Sequence, residues 1–354
     1  MVRQFYALAL TAVKFSLKST FVRSFHRPGT FLSLHPTIQT QSLHPVGVTS
    51  MSLRRSHTTS GAEGGNDEGH VVATTPSSAS LTEAIISGIQ QRANPQTREW
   101  FTNYVKGTTW IGCKIPVVRE AVQEAVGVKK GKKGNKESKS FISPHVFLDA
   151  AIILLQHEAC DVKLGGMLIL SEQMKLQDLA THATLQRLED DVLLQNKLDD
   201  WSSADWFAIK VLKKIVFSNG KRTDDNDDGS ALPQRVLNYT TIANIEGRNY
   251  LYVRRCGVVP FLDYGKHRDK LPPSFGSKLV DACEASLLAS SEERFTQTGI
   301  AWVLRYILLE GKEKDAAIKM IIRHGTLWTK EAKKSMVEKL PKNDSRRKKI
   351  LELE

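Results

Sequence analysis

The stretch with the most chemical content runs Leu198-Asp199-Asp200-Trp201-Ser202-Ser203-Ala204-Asp205-Trp206 and on to Lys210. Trp201 and Asp205 are four residues apart, so near a helix start they share one side, indole beside carboxylate. A carboxylate and an aromatic face both favour positive charge placed against them. Such a pair suits a ligand that is cationic or becomes so during reaction. Asp199, Asp200 or Ser202 could cap the helix. A plainer role fits as well: Asp205 facing the positive helix N-terminus, and Trp201 in the core.

Two further stretches hold charged groups in apolar surroundings. In Asn249–Phe261, Arg254 and Arg255 are adjacent on an otherwise apolar helix. They cannot both face solvent on one side, so one runs near the core or along a groove and needs an anion. A phosphate and a buried Asp or Glu are both candidates. In Phe295–Tyr306, Trp302 and Arg305 are three apart and share a face. An indole there also serves as an ordinary core residue.

Helices must position these side chains. From Leu81 onward, segments with apolar residues three and four apart succeed one another across short polar breaks. They are Leu81–Arg92, Pro95–Val105, Pro144–Gln156, Val162–Met174, Asp205–Phe217, Leu251–Asp263, Ser277–Ala289, Phe295–Glu310 and Asp315–His324. Strand-like alternation bounded by hairpin turns is absent, so the chain reads as all-α. Helices in such close succession predict a HEAT/ARM-like α-solenoid of about six or seven pairs, each burying its face on the next. No exact repeat period can be read, so the repeats are degenerate. Lys-rich Lys129–Lys139 and acidic Lys221–Ser230 interrupt the pattern and read as solvated loops.

Composition sets outer limits. Of 354 residues, 41% are hydrophobic and 25% charged, as in an ordinary soluble globular protein. No stretch approaches the roughly 18 uninterrupted apolar residues of a membrane span, so no membrane partner is expected. The formal charge of +12 is unevenly spread. Residues 1–60 hold seven Lys or Arg and no acid, leaving 43 basic side chains against 38 acidic ones. The six Lys and one Glu of Lys129–Lys139 account for that remaining excess. Bulk charge alone is therefore weak evidence for nucleic acid; only a clustered face would count. Cys113, Cys160, Cys256 and Cys283 are far apart, without a C-x-x-C pair. They read as small buried side chains of a reducing compartment, with no disulfide framework and no metal or other cofactor.

Residues 1–56, basic and rich in Ser, Thr, Phe and Leu, read as an organelle presequence. The mitochondrion is the expected destination and a plastid the alternative. Met51 offers a second start that would leave the protein in the nucleus or cytoplasm. Residues 57–80 read as a disordered Gly/Ser/Thr-rich linker, 81–345 as the folded domain and 346–354 as a polar tail.

Several segments, in order, resemble DNA alkylation repair proteins of the AlkD type. Phe101, Tyr104, Lys106 and Gly107, then Gly112 and Pro116-Val-Val-Arg119, are similar to that family's opening. The spacing of Trp201 and Asp205 matches its central motif. Tyr252–Gly257 and Gly299–Arg305 match the next two, and Lys330-Glu331-Ala332-Lys333 resembles its closing segment. Each piece is weak alone; five collinear pieces over roughly residues 81–341 are fairly specific. The resemblance implies a HEAT-like repeat DNA glycosylase in which Trp201, Asp205 and Trp302 meet the deoxyribose of a damaged nucleotide. It implies backbone contacts from Arg255 and Arg305, with Tyr104 beside the lesion and Lys106 on DNA. Tyr252 stands where tryptophan is usual, and Ala204 where valine is.

The implied partner is double-stranded DNA carrying purines alkylated at N3 or N7, bound by a monomer. Such a base is already a good leaving group and needs no general acid. Departure leaves cationic character on the sugar. In this reading Asp205 stabilises that charge without base flipping. A non-catalytic HEAT-like scaffold for nucleic acid or protein is the rival reading, because fold alone never settles function. A metal-dependent phosphoesterase would have to use Asp224, Asp225, Asp227 and Asp228.

Overall fold

A computed structural model describes residues 76–127, 142–218, 231–244 and 249–353, all within the compact unit Thr74–Glu354. The expected presequence, most of the linker, both charged insertions and the Asp224–Asp228 group lie outside the described residues.

The described residues are all-α and solenoid-like. The chain order is α1 (Ser78–Gln91), α2 (Pro95–Tyr104), α3 (Ile115–Ala125), α4 (Pro144–Leu155), α5 (Cys160–Leu168), α6 (Leu176–Leu179) and α7 (His182–Leu188). Next come α8 (Trp201–Phe207), α9 (Lys213–Val216), α10 (Ala231–Leu237), α11 (Leu251–Val258), α12 (Tyr264–His267) and α13 (Phe275–Ala289). The last are α14 (Arg294–Glu310), α15 (Lys314–Arg323), α16 (Lys330–Val337) and α17 (Ser345–Leu351). A wider π turn, Ala208–Leu212, joins α8 to α9. Among the described residues the β contact is an isolated bridge between Thr109 and Ala159.

Local sequence explains where several helices begin. Asn94 and Ser143 each precede a proline at the first helical position, and their side chains accept from the N–H of Thr97 and Val146. Proline loses nothing there, since that N–H has no partner within the helix. Ser77 accepts from Ser80 N and starts α1 at Ser78, so residues 78–80 belong to the first helix rather than to the expected linker.

The helices pack in two rows. In one row α3 contacts α5, α5 contacts α8, α8 contacts α11, α11 contacts α14 and α14 contacts α16. The other row includes α1 on α4, and α13 on α15. Each helix thus buries its apolar face mainly against neighbours near in sequence, the packing expected of degenerate repeats. The core between the rows includes Ile85, Leu154, Leu168, Phe207, Phe261 and Leu304. All four cysteines are free and buried. No helix among the described residues is long and apolar enough to cross a membrane.

The expected polar tail is instead a packed final helix. Ile350 is buried and Leu353 packs against the core. Arg346 and Arg347 donate to the carbonyls of Leu308 and Val337, at 2.8 and 2.6 Å. Their charged heads answer helix C-terminal carbonyls while the apolar side chains face inward.

Candidate active site

The candidate residues gather on three successive helices of one row, α8, α11 and α14. A residue of α5 and a local cap set the position of α8. Lys163, buried, donates from Nζ to Lys197 O and Asp199 Oδ1, 2.6 Å each. This ties down the loop entering α8. Asp200 then caps that helix, accepting from Ser202 N at 2.8 Å and Ser203 N at 2.9 Å. Of the three expected cap candidates, Asp200 takes the role. Trp201 therefore opens α8 and Asp205 follows one turn on.

Asp205 is only 8% exposed, but its neighbour is a guanidinium rather than hydrocarbon. Arg255 on α11 donates Nε to Oδ1 at 2.6 Å and Nη2 to Oδ2 at 2.8 Å, a planar two-bond fork. Its Nη1 reaches α14, donating to Phe295 O and to Thr298 Oγ1, the latter at 3.2 Å. Burial pulls the Arg255 pKa down, but the charge and hydrogen bonds of Asp205 outweigh it and the net direction is up. The guanidinium therefore keeps its charge despite burial. Cutting the same guanidinium out of water without its carboxylate would cost several kcal/mol, about 3–5 for a broken buried pair.

Gly299 packs directly against this guanidinium: a Cβ there would lie 2.9 Å from Arg255 Nη1, so a side chain would make that end of the arginine shift. Trp302 follows one turn along α14, 8% exposed, with its indole N–H buried and lacking an acceptor. It packs as a core residue. Tyr252 packs on Phe295 at 6.1 Å, and its phenol pKa is raised by burial and then by the charge of Asp200.

A second ring cluster flanks Trp201. Tyr104 lies edge-on to Trp201, ring centroids 5.8 Å apart. Phe101 stacks on Trp110 at 4.2 Å, fastening α2 to the body. Asp161, fully buried at the start of α5, holds the loop behind them. Its carboxylate accepts from the N–H groups of Ile111, Gly112 and Cys113 at 3.1, 2.8 and 2.9 Å. Gly112 adopts φ +115°, and a Cβ there would lie 2.5 Å from Asn94 O. Tyr104 and Lys106 are exposed at this edge.

Two sequence expectations need correction. Arg305 does not face a ligand. It is 0% exposed, donates from Nε and Nη2 to Ser335 O and Oγ at 2.6 Å each, and pairs with Glu338 on the far side of α14. That ion contact is 2.6 Å from Nη1 to Oε2, close but off the line of an N–H bond. Arg305 fixes α16 and lies too deep for a phosphate. Arg255 is likewise turned inward, 6% exposed, with its nitrogens engaged by Asp205, Phe295 and Thr298. Of the two partners the sequence left open, the acid is the one the fold supplies. The residues missed are Asp161, Lys163 and Trp100; the first two act on loops about 50 and 36 positions away, a separation that leaves no local pattern.

In chemical terms the arrangement holds one carboxylate in a fixed orientation one helical turn from the Trp201 indole. Each carboxylate oxygen has two lone pairs and gives one to Arg255, so Asp205 retains acceptor capacity toward a cation or a water. Among the described residues no group of three or more His, Cys, Asp or Glu is placed to hold a metal ion.

The family model described as DNA alkylation repair enzyme matches residues 85–336 of this chain. That span runs from the middle of α1 to the last turn of α16 and contains every candidate named above. Among curated proteins there is no significant sequence match.

Proposed function

Since this chain belongs to the DNA alkylation repair enzyme family, and so is an enzyme of DNA repair, we propose that it is a DNA glycosylase. Its substrate in this reading is duplex DNA carrying a purine made cationic by alkylation at N3 or N7. The carrying observation is the Asp205 carboxylate, held by Arg255 through two hydrogen bonds one turn from Trp201.

The reaction this supports is departure of the base with its bonding electrons, followed by addition of water to the sugar. The charged base leaves as a neutral purine, so no proton donor is required at the leaving group. Positive character moves to the deoxyribose, where Asp205 offsets it, and removing such fixed stabilisation typically costs about a hundredfold or more in rate. Indole faces of Trp201 and Trp302 favour the same charge by roughly 0.5–2 kcal/mol each. Arg255 acts here as a positioning residue: it fixes the carboxylate so that no reorientation is needed as charge develops. Because the charge sits on the sugar, the base need not enter a pocket. Tyr104 and Lys106 then serve as DNA contacts at the open edge.

The purified protein, incubated with duplex containing 7-methylguanine or 3-methyladenine, should release the free base and leave an abasic site. Binding to that duplex without release of base would favour the scaffold reading instead. For residues 1–56 the reading is mitochondrial import, checked by following a fluorescent protein fused after residue 60.

A further inference from the structure

Trp100 has no part in the chemistry above, yet it is one of the most exposed large apolar side chains among the described residues. It is 48% exposed, as is Tyr104 one turn later. Their rings stack, centroids 5.0 Å apart and planes 13° from parallel. Helix α2 has no buried residue at all. It is held by Phe101 stacked on Trp110, by the Asn94 cap and by the loop pinned to Asp161. Phe101 fastens this helix through Trp110, and the Trp100–Tyr104 pair is presented to solvent.

We propose that Trp100, stacked on Tyr104, is a nucleotide-packing platform that meets a nucleotide flanking the lesion, outward of Trp201. Continuity with the site argues for DNA as the occupant. The rings form an unbroken series, Trp100 on Tyr104 and Tyr104 edge-on to Trp201 at 5.8 Å, and Trp201 is one turn from Asp205. A sugar placed at Asp205 therefore sets its neighbour along the strand toward Tyr104 and Trp100. The surroundings fit a nucleotide as well. Gln96 and Asn103, exposed and three or four residues from Trp100, share its helix face and offer amide donors to phosphate or sugar oxygens. Exposed Lys106 follows Tyr104 by two. Flat rings tolerate any base, since every base and deoxyribose presents an apolar face. Such a platform gives grip without sequence preference, which suits lesions scattered at random.

The proposal rests on the reading that the chain binds DNA, and its test separates the two. The full chain and its Trp100→Ala and Trp100→Phe variants are titrated with a fluorescent duplex. The duplex carries a tetrahydrofuran abasic analogue with 2-aminopurine on its flank, so that no base release is needed. Trp100→Ala should weaken binding about tenfold, the scale of one lost base–aromatic stack, and abolish the change in 2-aminopurine emission. Trp100→Phe should restore most of both, and thermal midpoints should match because the residue is exposed. Equal affinity and emission for wild type and Trp100→Ala would overturn the platform. So would a Trp100-dependent self-association that leaves DNA affinity untouched. Wild-type protein that weakens with Trp100→Ala yet releases no base from methylated duplex would keep the platform and remove the glycosylase. Wild-type protein that fails to bind the duplex would remove both.

Discussion

Arg255 and Arg305 stand on adjacent helices, both almost wholly buried and both answered by a carboxylate, yet they do different work. Arg255 joins α11 to Asp205 on α8 and to the first turn of α14, so three helices meet at one guanidinium. Its acid lies one turn from half-buried Trp201, beyond which the rings of Tyr104 and Trp100 are both 48% exposed. Arg305 joins α14 to α16 through Ser335 and pairs with Glu338, whose side chain is 36% exposed. No ring contact of comparable reach surrounds it among the described residues. Residue type and burial therefore do not make a site here. What separates the two regions is whether the anion held in place has something to face.

That contrast breaks most directly by exchanging the two arginines' fates. Arg255→Gln should slow base release by about a hundredfold, because Asp205 loses its orientation, the scale of one preorganised electrostatic group. It should also leave the salt dependence of duplex binding unchanged, since an inward guanidinium displaces no counterions. Arg305→Ala should leave the rate per folded molecule within about twofold but cost about 2–4 kcal/mol of stability. Its thermal midpoint should fall by roughly 5–15 °C at this chain length. A shallower salt slope in either variant would return that arginine to the DNA surface.

Smaller effects sharpen the same comparison. Trp302→Leu should lower the rate of release by about 3- to 30-fold, the value of one cation-facing indole. Single-turnover kinetics would detect it, and an unchanged rate would confine Trp302 to packing. The smallest expected effect is that of alkaline pH. Arg255 has its pKa raised by Asp205 beyond an already high value, so the ion pair persists through the alkaline range. The departing base needs no proton either. Release should then be flat from about pH 7 to 9; an alkaline limb near neutrality would implicate a general acid.

Much of this fold was legible because its helices announce their starts. Asn94-Pro95, Ser143-Pro144 and Asp200 are caps that function locally, and local signals survive in sequence. The final helix was hidden by its composition. Among Ser345–Leu351 only Ile350 is buried, and the arginines that make it look like a solvated tail are bonded to distant carbonyls. At the site, the four-residue spacing of Trp201 and Asp205 pointed to a shared side. The partner of Arg255 was undetermined because an acid 50 positions earlier and a phosphate satisfy the same physical need. Arg305 was misplaced for a related reason. Helical spacing puts it beside Trp302, but a long side chain can leave that face and reach α16 instead. Trp100 was passed over because an aromatic in an amphipathic segment usually faces the core, and here Phe101 takes that direction.

In the proposed reaction the negative charge at position 205 acts on the sugar as the base departs. That action is tested most directly by single-turnover release of 7-methylguanine from duplex, comparing wild type with Asp205→Asn at a temperature where both are folded. The rate should be lower by about a hundredfold or more in the variant, with duplex affinity changed only a few-fold. Equal rates, with both proteins folded and saturated, would contradict it.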